Sequence, residues 1–131
     1  MAQAPFNETV MDHFMNPRNV GEIENADAVG KAGSVQCGDA ITLYLKIDNG
    51  TITEAKFKTF GCGAAIASSS MTTELLKGKS VEDASALSNG EVLKALGGLP
   101  EAKVHCSVMA EEAVRAAVAD YKKKKGTVVT S

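Results

Sequence analysis

Residues 40–60 read AITLYLKIDNGTITEAKFKTF, and this stretch decides the fold. Ile41, Leu43, Leu45 and Ile47 alternate with Ala40, Thr42, Tyr44 and Lys46. A period of two puts the four aliphatic side chains on one face of a pleated strand, so residues 40–47 read as a half-buried strand. Asp48-Asn49-Gly50 then supplies a hairpin turn, because Asn and Gly accept the positive φ angles that a tight two-residue loop demands. Thr51 to Phe60 is the returning strand, with Glu54, Lys56 and Lys58 expected on the solvent face and Ala55 and Phe57 on the other. Ser34 to Cys37 is expected to add a third strand.

Helices flank this hairpin. Phe6 to Phe14 reads as a short helix with Val10, Met11 and Phe14 on its apolar face, broken at Asn16-Pro17 because proline disfavours the helical conformation of its predecessor. A polar connector spans Arg18 to Gly33. After the strands, Ala64 to Lys77 reads as a helix with Ile66, Leu75 and Leu76 among its apolar residues, ended by Gly78. Ser80 caps a short helix, with Asp83 in a capping-box position. Another short helix runs from about Glu91 to Leu96, followed by the loop Gly97-Gly98-Leu99-Pro100. The longest helix is expected from Val104 to Lys125, its alanines (Ala110, Ala113, Ala116, Ala117, Ala119) allowing close approach to a neighbour. A helix, then strands, then helices implies an α+β domain: a small antiparallel sheet of about three strands with helices packed on it. The domain is assigned to residues 1–125, with residues 126–131 as a C-terminal tail.

Composition narrows the function. The 131 residues, 44% of them hydrophobic, suffice for one domain with its own core. A net charge of -2 excludes a global basic footprint for nucleic acid. The run Lys122 to Lys125 reads as a solvated helix end that complements the helix dipole. No stretch approaches the length of a membrane span, and MAQAPFNETV lacks a secretory pattern, so the chain reads as a cytoplasmic protein with no membrane partner.

The three cysteines, Cys37, Cys62 and Cys106, are an odd number and so cannot form a fully paired disulfide framework within one chain. All three fall at element boundaries: in Gln36-Cys37-Gly38-Asp39, in Phe60-Gly61-Cys62-Gly63 and in Val104-His105-Cys106-Ser107. Glycine lets the backbone approach a ligand closely, and a helix N-terminus favours the thiolate that binds metal or attacks sulfur. The intervals between them are far longer than the close cysteine pairs of zinc fingers or common ferredoxins, so spacing alone decides nothing. A single such cysteine is as readily a packing residue. Three beside Gly, Asp or His are expected to meet in one solvent-reachable pocket, with Asp39 and His105 as further donors. His13 has no cysteine near it in sequence and is read as structural.

At this point the chain resembles a known family. DHFMNPRNVG (12–21), CGD (37–39), FKTFGCGAAIASSS (57–70), KGKS (77–80) and VHCSVMAEEAVRAAVADYK (104–122) are similar to the iron–sulfur cluster assembly scaffolds that include IscU and the N-terminal domain of NifU. The resemblance implies a scaffold rather than a turnover enzyme. A cysteine desulfurase would deliver persulfide sulfur, iron would be supplied, a ferredoxin would bring electrons, and a [2Fe-2S] cluster would form and pass to acceptor apoproteins. It further implies Cys37, Asp39, Cys62, His105 and Cys106 as the cluster and metal site, Cys106 as persulfide acceptor, and Lys103 close by. A DnaK-like chaperone and co-chaperone belong to the same picture, which also leaves room for a homodimer. Here the chain departs from the pattern. Much of the IscU branch reads Leu-Pro-Pro-Val-Lys where this chain has Leu99-Pro100-Glu101-Ala102-Lys103, which puts chaperone recognition at this loop in question. Gly97-Gly98 leans toward NifU, and the short Cys62–Cys106 interval disfavours the SufU branch.

Two alternatives use the same residues. The donors suit a zinc site equally well, so a zinc-stabilised binding module stays open. A Cys–His hydrolase is disfavoured, because His105 and Cys106 are adjacent on a helix, where neighbours are expected to point apart.

Overall fold

The computed structural model describes residues 8–34, 39–61, 63–99 and 104–130; for residues 34, 39 and 124–130 it describes the backbone course alone. The order is α1 (Glu8–Met15), β1 (Ala28–Ser34), β2 (Asp39–Asp48), β3 (Thr51–Phe60), α2 (Gly63–Leu76), α3 (Val81–Ser85), α4 (Asn89–Leu96) and α5 (Val104–Thr130). The three strands form an antiparallel sheet in the order β1-β2-β3. The fold is α+β, as the pattern of segregated elements predicts.

The hairpin at its centre follows the reading closely. Asn49 and Gly50 adopt φ of 53° and 78°, the paired left-handed conformations of a type I′ turn. Ile41, Leu43, Leu45, Ala55 and Phe57 are buried on one face. Directly after the turn the returning strand changes phase. Ile47 pairs with Ile52 but Lys46 pairs with Glu54, so Thr53 is an extra, exposed residue. This bulge lets both Ile52 and Ala55 face the core although three positions separate them.

The third strand begins earlier than the sequence suggests. It is β1, Ala28–Ser34, which takes up the end of the expected connector and the first residue of the expected strand, while residues 35–37 lie outside the described residues. The reason is packing. The inward positions of β1 are Ala28, Gly30 and Ala32, small residues that carry little strand signal but allow α5 to lie directly on the strand. A Cβ on Gly30 would collide with the carbonyl oxygen of Ala113 and the amide nitrogen of Ala117, and would lie 2.9 Å from the Ala117 Cα. The alanines of α5 therefore make the close approach expected of them, and Gly30 receives it.

Both sheet edges are covered in part. The Val29 amide on β1 donates to Asp120 Oδ2 at 2.9 Å. On β3, the Phe57 amide donates to the Asn19 carbonyl at 2.9 Å and the Ile52 amide to the Lys79 carbonyl at 2.8 Å.

The helices mostly keep their expected places. Ser80 caps α3 by accepting from the Asp83 amide, and Ser88 caps α4 by accepting from the Glu91 amide. Gly97, at φ 82°, closes α4 in the left-handed conformation. In α2 Leu76 is buried as expected but Ile66 and Leu75 are only half-buried, and Ser68, Ser69, Ser70, Thr72 and Thr73 join the alanines on the buried face. Ser69, Thr72 and Thr73 are accommodated because each donates back to a carbonyl of the preceding turn, whereas the buried Ser68 hydroxyl has no such partner among the described residues. α5 continues to Thr130, past the expected end at Lys125.

Candidate functional site

The first turn of α5 lies at one particular edge of the sheet. Asp120 meets Val29, and Ala113 and Ala117 meet Gly30, so α5 runs antiparallel to β1. Cys106 is seven residues before Ala113, about 10 Å along a helix. Ser34 is four residues beyond Gly30, about 13 Å along a strand. Cys106 is thus carried to the Ser34 end of β1. Ser34 pairs with Asp39, and Ala40 pairs with Phe60, so the same edge is where β2 begins and β3 ends. The segments bearing Cys37 and Cys62 join the sheet there.

Of the predicted site residues, two have described side chains. Cys106 is a reduced thiol and wholly buried, packed with the hydrophobic core. His105 is exposed, with its Nε2 3.7 Å from Cys106 Sγ. Two expectations are corrected here. Cys106 is not solvent-reachable: its side chain is wholly buried within the hydrophobic core cluster. Nor do His105 and Cys106 point apart: the imidazole is long enough to fold back over the neighbouring sulfur. Asp39 is described as the first residue of β2, its side chain lying outside the described set, as do Cys37, Cys62 and Lys103. Among the described residues no three His, Cys, Asp or Glu side chains converge, since three of the five predicted ligands are outside them. The loop Leu99 to Lys103 is described at Leu99 alone, which packs on the core.

A second polar group sits behind this edge, between α1 and α2. His13 is buried, its Nδ1 2.7 Å from Ser70 Oγ. Ser70 Oγ also accepts from the Arg18 amide at 2.9 Å, so this one hydroxyl bonds both the His13 ring and the backbone that follows α1. Burial, reinforced by the positive Arg18, holds the imidazole below its ordinary pKa. Arg18 in turn pairs with Asp12 at 2.7 Å. His13 is a structural residue by this geometry, as read from the sequence.

Phe14 was expected to face the core with Val10. Val10 is buried, but the Phe14 ring is 36% exposed and lies against Gly63, the first residue of α2. The signal available in the sequence was the glycine itself, standing where a helix would ordinarily start with a capping or helix-favouring residue.

The chain belongs to the family of NifU-like N-terminal domains, whose model matches residues 5–128. It is 51% identical over 94% of its length to the iron–sulfur cluster assembly scaffold protein IscU 1 of Archaeoglobus fulgidus, 80% of which is covered. It is 52% identical over 92% of its length to the scaffold protein IscU of Haemophilus influenzae, 98% of which is covered. Among solved structures it resembles a candidate iron–sulfur cluster assembly scaffold of the SUF system from Fervidobacterium islandicum AW-1. That likeness has a TM-score of 0.68 and 26% identity, and covers 86% of this chain and 96% of the other. The scaffold role in iron–sulfur cluster assembly expected from the motifs is supported by these relatives. Among the described residues no helix is long and apolar enough to cross a membrane.

Proposed function

We propose that this protein assembles a [2Fe-2S] cluster at the sheet edge and passes it to acceptor apoproteins. The observation that carries the reading is the thiol of Cys106, beside His105, at the edge from which the Cys37- and Cys62-bearing segments depart. Cys37, Cys62 and Cys106 supply soft thiolates suited to iron–sulfur chemistry, and Asp39 and His105 supply harder donors that loosen the site. A store would close every position with sulfur; a scaffold must release what it builds.

Sulfur arrives from a cysteine desulfurase. The Cys106 thiolate attacks the outer sulfur of the desulfurase persulfide, the old S–S bond breaks, and the desulfurase thiolate leaves. Each transferred sulfur takes two electrons on becoming sulfide: oxidation of one ferrous ion supplies one and a ferredoxin the other. The family resemblance implies a role for Lys103 beside this chemistry. Because Cys106 is buried, it must be uncovered before the two sulfurs meet. Release is aided by a DnaK-like chaperone and its co-chaperone, and the protein works as a scaffold in the cytoplasm rather than as a turnover enzyme. The same donors suit zinc, which is expected in the purified apo protein.

Anaerobic reconstitution with iron, cysteine and a desulfurase tests this. Visible charge-transfer absorption is expected; a colourless product that keeps zinc overturns the proposal. Cys106→Ser abolishes persulfide on the scaffold by mass spectrometry, and persulfide found at Cys37 or Cys62 alone reassigns the acceptor.

A further inference from the structure

Cys62 stands between two glycines, Gly61 and Gly63. Gly61 takes φ 156°, a value that side-chain-bearing residues rarely adopt. A ligand's position depends on what restrains the chain beside it, and Gly63 adjoins Cys62 in the sequence. The structure holds one such restraint. A Cβ built on Gly63 would lie 3.1 Å from Phe14 Cδ1, 3.2 Å from Cε1 and 3.3 Å from Cγ. Three ring atoms at nearly equal distance mean that the ring covers the Gly63 Cα with its face. The ring reaches this place because α1 is pinned to α2 further along, where Ser70 holds both His13 and the Arg18 amide. Ser70 lies two helical turns from Gly63, so α1 grips α2 at two separate points.

We infer that Phe14 is a positioning residue for the cluster site: its ring clamps the Gly63 backbone and so restrains the chain from which Cys62 offers its sulfur. The inference rests on the proposed reading of Cys62 as a ligand. It also accounts for the glycine, since a methyl there would displace the ring by a few tenths of an ångström, and for an aromatic left partly exposed beside a core with aliphatic neighbours. α1 acts on the site without touching the cargo.

The test uses the full chain, reconstituted anaerobically, with cluster lifetime and visible circular dichroism as readouts. Phe14→Ala shortens the lifetime about tenfold, the low end of the effect of residues that orient metal ligands, and changes the visible dichroism. Phe14→Tyr, which keeps the ring, restores both. If Phe14→Ala does not fold, Phe14→Leu takes its place, read the same way. Val10→Ala loosens the buried side of α1 without touching Gly63, and is expected to lower thermal stability with the lifetime kept. An equal loss of lifetime in Val10→Ala, or an unchanged lifetime in Phe14→Ala, overturns the clamp. Cys62→Ser separates the two claims. If it leaves the cluster unaltered, the ligand assignment falls; if it alters the cluster while Phe14→Ala does not, the clamp alone falls.

Discussion

Asp39 is the residue at which the proposed balance between holding and releasing is set. It opens β2 at the sheet edge, opposite Ser34. A carboxylate is a poorer partner for iron–sulfur chemistry than a thiolate, so its presence weakens the site. Asp39→Ala is expected to lengthen the lifetime of the reconstituted cluster about tenfold, within the range seen when groups around a metal are changed. Decay of the visible absorption in the presence of an apo acceptor measures it; decay as fast as in the parent protein would refute the role. The candidate residues stand out in the sequence through the Gly, Asp and His beside the cysteines and through the longer blocks around Cys62 and Cys106. The burial of Cys106 and the approach of His105 to its sulfur do not, since both depend on tertiary packing at the start of α5.

Elements were legible to the extent that their side chains are large. β2 and β3 announce themselves through Ile41, Leu43, Leu45 and Phe57. β1 does not, because its inward residues are Ala28, Gly30 and Ala32 and its pattern is one of size rather than polarity. The same smallness makes it the most sensitive strand. Gly30→Ala forces a methyl into the backbone of α5 at Ala113 and Ala117, which cannot yield as a side chain would. We expect a loss of about 3 kcal/mol, the upper part of the usual cost of overpacking. Chemical denaturation of the apo protein checks this; a loss under about 0.5 kcal/mol, typical of surface positions, would refute the close crossing.

At the scale of the molecule, stability is linked to pH through His13. Its folded pKa is held below the unfolded value of 6.5, so between the two the unfolded chain binds the extra proton. The contribution is therefore complete above pH 6.5 and is lost as pH falls below it. The slope is at most about 1.4 kcal/mol per pH unit for a single proton. Urea midpoints measured from about pH 7.5 down to about pH 5 should fall more steeply for the parent chain than for His13→Gln. Parallel curves would mean that the imidazole is not held neutral by its burial against Ser70.

The bonds that Asn19, Lys79 and Asp120 make to the outer strands bear on how such a protein survives its own work. Uncovering Cys106, as the proposed sulfur transfer requires, would bare apolar surface for a time, and an unguarded strand alongside would invite neighbouring molecules to stack into fibrils. With one amide on the β1 rim and two on the β3 rim already engaged, fewer groups are left there to template such stacking.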